Sequence, residues 1–123
     1  MNIMSRLIVM RLLGAFLSMM FITSTLLVTT SAVIGETVTV LSHRRGQALA
    51  RHFLDVIQRS QLPIIYIDEQ LHQKALEVFK QQTARGTSYV DCSNVTVMQQ
   101  FSITTIFSFD RVYSKIFQLK VAA

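Results

Sequence analysis

An α/β fold with a parallel sheet is the class this sequence predicts, on three observations. After residue 60, short β-branched runs alternate with longer stretches of helical periodicity, in the order strand, helix, helix, strand, helix. The length of 123 residues suits one domain, and a composition that is 50% apolar suffices to fill one core. No internal repeat or low-complexity tract divides the chain.

The N-terminal stretch is unlike the rest. Arg6 and Arg11 are the only charged side chains before Glu36, and five of the six methionines fall within the first twenty positions. Arg6, Arg11, the apolar run Leu12–Ile22 and then Thr30-Ser31-Ala32 imitate the charged, apolar and small-residue regions of a secretory signal. A membrane helix is the related reading, since about 20 apolar residues span a bilayer. Thr23, Ser24 and Thr25 interrupt the run and speak against both. Residues 1–26 are therefore expected to be an atypical apolar leader (signal-like, membrane-like or a misread start of the frame), followed by a domain over 27–123. Residues 1–25 are expected as a helix that projects from the domain or caps it loosely.

The domain's elements follow in order. Val33, Thr37, Val40 and Leu41 recur at helical spacing from Ser31 to His43, with Ser31 as the expected N-cap. The β-branched density there fits a strand equally well by propensity, so pattern alone leaves that segment open. Arg44-Arg45-Gly46 interrupts it, and Gln47 to Arg59 makes a second helix with Ala50, Phe53, Leu54 and Ile57 inward. Pro63 precedes Ile64-Ile65-Tyr66-Ile67, a short buried strand. Asp68 caps a helix over Glu69 to Ala84, striped by Leu71, Ala75, Val78 and Phe79 and stopped by Gly86. Ser88-x-x-Asp91 matches a capping box that opens a helix to about Phe101. Ile103 to Phe109 reads as a strand, and Asp110 starts a last short helix through Ile116.

Composition excludes several chemistries. One cysteine, Cys92, rules out an intrachain disulfide framework and reads as a small buried residue. His43, His52 and His72 share no metal-ligand spacing, and no Gly-rich phosphate loop or Ser/Cys nucleophile motif is present. Twelve Lys and Arg against seven Asp and Glu give a net charge of +5, which favours a polyanionic partner without specifying one.

Three acids at element ends carry most of the chemical information. Asp91 stands in Gly86-Thr87-Ser88-Tyr89-Val90-Asp91-Cys92, where a helix should begin. Asp110 ends the apolar strand in Ile106-Phe107-Ser108-Phe109-Asp110-Arg111. Glu36 lies in the uncharged, hydroxyl-rich stretch Thr30-Ser31-Ala32-Val33-Ile34-Gly35-Glu36-Thr37. Two of them have a plain reading: a helix cap for Asp91, a solvent-facing helix acid for Glu36. Gathered together, however, carboxylates at element ends suit a divalent cation. Phosphodiester hydrolysis builds negative charge that bare carboxylates would oppose and a metal ion reverses.

These three segments together resemble the PIN-domain ribonucleases, the fold of VapC-type toxins from bacterial type II toxin–antitoxin pairs, over about Leu27 to Tyr113. The resemblance implies a three-layer α/β fold with a parallel sheet flanked by helices, and it decides for helix at Ser31. It implies Glu36, Asp91 and Asp110 as catalytic and metal-holding residues, with Mg²⁺ or Mn²⁺ as cofactor and hydroxyls from Thr29 and Thr30 nearby. It also implies an RNA substrate, an antitoxin protein as partner and a homodimer. Arg44, Arg45 and Arg111 are the weaker candidates to touch RNA phosphates.

The chain departs from the family at its N-terminus. The family's first acid ends a short central strand of the type apolar-apolar-Asp-[Ser/Thr], and residues 1–35 contain no Asp or Glu. The first strand is therefore expected to be missing or replaced. Two function classes follow: a metal-dependent, toxin-like endoribonuclease in the cytoplasm, or a catalytically impaired remnant or binding protein held at a membrane through residues 7–28.

Overall fold

The computed structural model of the protein describes residues 20–22, 27–107, 117 and 120–121. Its elements are β1 (Met20–Ile22), β2 (Leu27–Thr30), α1 (Ser31–Arg45), α2 (Gln47–Arg59), β3 (Ile64–Ile65), α3 (Glu69–Lys80), α4 (Tyr89–Gln100), β4 (Thr105–Phe107) and β5 (Lys120–Val121). The five strands form one sheet in the order β3-β2-β1-β4-β5.

Leu27 and Val28 show how the sheet is covered. They are neighbours on β2 and so point to opposite faces. Leu27 packs in a cluster with Leu41 of α1 and Ala50, Phe53 and Ile57 of α2. Val28 packs with Leu71 of α3, Val95, Val97 and Met98 of α4, and Ile106 of β4. Helices thus cover both faces, which gives the three-layer α/β arrangement expected, and β2 is buried along its whole length.

The direction of the strands is the main surprise. β2 runs parallel to β3 (Thr29 beside Ile64, Thr30 beside Ile65), and β4 runs parallel to β5. Between the two pairs, β1 is antiparallel to both neighbours, with Phe21 opposite Val28 on one side and Ile106 on the other. The central position is therefore filled by a replacement strand that runs backwards. Residues 20–22, expected within a loosely packed leader helix, pair instead as a strand, because hydrogen-bonding edges exposed on both β2 and β4 are satisfied by any extended segment between them. The rest of the leader lies outside the described residues, as does the expected final helix from Asp110. Among the described residues, no helix is long and apolar enough to cross a membrane.

Helix α1 shows packing overriding propensity. Its six β-branched residues cost about 0.5 kcal/mol each relative to alanine in a helix. Burial of Val33 and Leu41, with Ile34 and Val38 partly covered, contributes roughly 1.5–3 kcal/mol per fully buried side chain, so helix wins. Thr37 and Thr39 also donate their hydroxyls to the carbonyls of Val33 and Gly35, at 2.7 and 2.9 Å. The N-cap is Thr30 rather than Ser31: Val33 N–H donates to Thr30 Oγ1 at 3.2 Å. Gly46, at φ 97°, makes the turn between α1 and α2, where a side chain would strain the backbone.

Candidate functional site

Because β2, β3, β4 and β5 all point the same way, their carboxyl ends share one edge of the sheet. Helix α1 starts there, directly after β2. Helix α3 starts there too, after three intervening residues beyond the end of β3. Three contacts hold the helix beginnings together. Ile67 N–H donates to Ser31 Oγ at 2.9 Å, tying the approach to α3 to the first residue of α1. His72 Nδ1 and the Tyr89 hydroxyl share a hydrogen bond of 2.8 Å, tying α3 to α4. Val33 of α1 packs with Val40 and with Val90 of α4. Three helix N-termini therefore meet at this edge, and their aligned backbone dipoles give it a positive bias that tolerates carboxylates and attracts anions.

Asp91 is fixed by the capping box its spacing predicts. Its Oδ2 accepts from Ser88 N–H at 3.0 Å, while Ser88 Oγ accepts from Asp91 N–H at 3.1 Å. The residue is 8% exposed. One turn further on, Asn94 is fully buried on the same face of α4. Sequence reasoning did not single out Asn94, although the Asp-x-x-Asn spacing in a helix buried all round was the available signal.

Glu36 is half-buried, on the second turn of α1. At about 100° per residue it stands roughly 60° round the helix from Val33, the residue that meets Val90. It thus borders the stripe of α1 that packs on Val90 in the first turn of α4. The helices that carry the two expected residues Glu36 and Asp91 touch through Val33 and Val90. Strand β4 ends at Phe107 on the carboxyl edge of the sheet, three residues before Asp110; Asp110 and Arg111 themselves lie outside the described residues. Among the described residues no group of three His, Cys, Asp or Glu is close enough to hold a metal ion. Thr29 and Thr30 are buried at the end of β2, with Thr30 engaged as the cap of α1. Arg44 and Arg45 are exposed in the last turn of α1, about 12 Å along its axis from Glu36 at 1.5 Å per residue.

The donor chemistry fits a hard cation. The acids offer oxygen, and Cys92, next to Asp91, does not add a thiolate. It is fully buried, and its thiol is pushed up to about 11, first by that burial and then by the Asp91 carboxylate. Burial also raises Tyr89, at the start of the same helix.

An α/β domain with a helix-capping acid and a half-buried helix acid at the carboxyl edge of its sheet defines a class of fold and site. The comparisons give it a family. The PIN domain family model matches residues 12–117, and the chain belongs to that family. It is similar to a VapC ribonuclease of Archaeoglobus fulgidus, 33% identical over 87 residues, which are 69% of this chain and 54% of that protein. The chain thus spans about half the length of that relative. The fold matches the crystal structure of Mycobacterium tuberculosis VapC20, a sarcin-ricin loop cleaving toxin, with a TM-score of 0.67 and 25% identity over 75% of this chain and 71% of the other.

Proposed function

We propose that this protein is a divalent-metal-dependent endoribonuclease of the toxin type. The observation that carries the reading is the buried, Ser88-capped Asp91 at the start of α4, on which α1, the helix of Glu36, packs through Val33 and Val90. Kinship with a VapC ribonuclease and with a toxin that cleaves the sarcin-ricin loop supports RNA as the substrate.

In this reading Glu36, Asp91 and Asp110 hold Mg²⁺ or Mn²⁺. The bound ion supplies Lewis-acid polarisation of a phosphoryl oxygen and a water of lowered pKa. Asp91 is held by Ser88 so that its carboxylate needs no reordering when the ion binds. Glu36 brings a second negative charge from a different helix. Arg44, Arg45 and Arg111 contact RNA phosphates, and the net charge of +5 favours the encounter. An antitoxin protein as partner, a homodimer and a cytoplasmic location belong to the same reading.

One observation favours a second reading. The central strand that should end in the first acid runs the other way here, and nothing before Glu36 carries a carboxylate. A catalytically impaired member that keeps the fold as a binding protein, with or without membrane contact by residues 7–28, has this feature. Calorimetry with Mg²⁺ and Mn²⁺, run beside an RNA cleavage assay, separates the two. The ribonuclease reading expects metal-dependent cleavage stopped by chelation, and binding heat lost in Asp91→Asn. Metal binding without cleavage points to the impaired member, and identical heats for both chains remove the metal site altogether.

A further inference from the structure

We infer that Tyr66 is a substrate-positioning residue that stacks an unpaired RNA base at the lip of the acidic edge. The inference rests on the ribonuclease reading and adds to it a contact that neither the acids nor the arginines supply.

Tyr66 is 70% exposed, against 51% for Phe101 and 45% for Phe79. A lone exposed aromatic is ordinary on a protein surface. What separates Tyr66 from the other two is where and how it is held. Phe79 lies in the last turn of α3 and Phe101 just beyond the end of α4, away from the helix beginnings. Tyr66 follows the carboxyl end of β3, one residue before the Ile67 N–H that Ser31 Oγ accepts at the start of α1. It therefore stands at the edge where the three helix N-termini meet, next to the start of the helix that carries Glu36.

Its backbone is pinned on both sides. Ile65 and Ile67 turn inward and pack against the core cluster around Leu71 and Val95, so the residue between them must turn outward. Two residues on, Asp68 Oδ1 accepts from Leu71 N–H at 2.8 Å and fixes the start of α3. A tyrosine ring has only two side-chain torsions, so a ring on a fixed backbone loses little freedom when it is covered. Such a rigid, outward ring beside a positively biased edge suits a base splayed from a single strand, since base faces are closed inside a duplex.

The test uses the full-length chain with chelator present, so that binding is read without cleavage, and fluorescein-labelled single-stranded and duplex oligoribonucleotides followed by anisotropy. Tyr66→Ala should weaken single-strand binding by about tenfold, the loss typical of one base–aromatic stack, and leave duplex binding unchanged. Tyr66→Phe should keep wild-type affinity, because the ring and not the hydroxyl makes the contact, and Phe79→Ala should also be silent. Unchanged single-strand affinity in Tyr66→Ala overturns the stacking role and leaves the ribonuclease reading standing. Equal losses on single strand and duplex overturn it too, since they mark a general structural defect. A wild-type chain that neither binds nor cleaves RNA overturns both readings together.

Discussion

In the proposed ribonuclease one carboxylate, that of Asp91, serves both stability and chemistry, and the two can be separated by substitution. The side chain satisfies the Ser88 N–H at the start of α4, and a negative charge in a first turn is favoured by the helix dipole. Asparagine keeps the acceptor oxygen, so Asp91→Asn should cost less than about 1 kcal/mol, mostly lost dipole interaction. Alanine leaves the part-buried Ser88 N–H without this acceptor, and about 1–3 kcal/mol should go. Urea denaturation of both variants checks this ordering, and equal losses would show that charge rather than the hydrogen bond is the stabilising feature. Neither variant should retain metal binding. The neighbouring Cys92 gives a pH signature. Its thiol is raised from an ordinary 9.0 to about 11, so the folded chain holds this proton more tightly than the unfolded chain. The resulting stabilisation is complete below about pH 9 and is lost as pH rises to about 11, since unfolding there releases a proton. Tyr89 is shifted in the same direction by burial, so the comparison that isolates the thiol is wild type against Cys92→Ala. Stability should fall more steeply from pH 9 to 11 in the wild type; parallel curves would mean that the thiol titrates normally.

At the scale of elements, what could be read in advance was whatever depends on local chemistry. Asp68 and the Ser88–Asp91 box cap their helices as their spacing demands, because a cap is completed within three residues of sequence. Helix α2 matches its expected range, since Ala50, Phe53 and Ile57 leave one orientation that hides them all. Helix α3 stops at Lys80, short of the expected Ala84 and Gly86, as Gln81 N–H and the Gln82 side chain fold back on the last turn. Longer-range pairings were not legible. Strand β2 lies in Leu27-Val28-Thr29-Thr30, at the start of the expected domain, a run not singled out as a strand until Val28 finds Phe21 and Thr29 finds Ile64. The contact between His72 and Tyr89, and that between Ser31 and Ile67, join helix beginnings 17 and 36 residues apart, and no periodicity announces them. Of the proposed acidic site, the residue types and their places in the sequence were visible; the packing of Val33 on Val90, which joins the helix of Glu36 to that of Asp91, was not.

For the molecule as a whole, everything turns on a strand of three residues. Without β1 the sheet falls into two pairs, β3–β2 and β4–β5, each a two-stranded ribbon that is marginal in water. The two facing edges would then present unpaired backbone groups of β2 and β4, a template for association with other chains. The proposed acidic edge would suffer as well, because among the described strands β1 is the one that pairs both with the half of the sheet that leads into α1 and with the half that holds β4. Removing residues 1–25 should therefore lower Tm by about 10 °C or more, as expected for a loss of several kcal/mol at roughly 4–8 °C per kcal/mol in a domain of this size. The truncated chain should also associate at concentrations where the full chain does not. Removing residues 1–19 leaves β1 in place, so the difference between the two truncations reports the strand itself. Scanning calorimetry with light scattering reads both effects. If the shorter chain melts within about 2 °C of the longer and stays monodisperse, a domain beginning near residue 27 is self-sufficient, and Met20–Ile22 only covers an edge the fold can leave open.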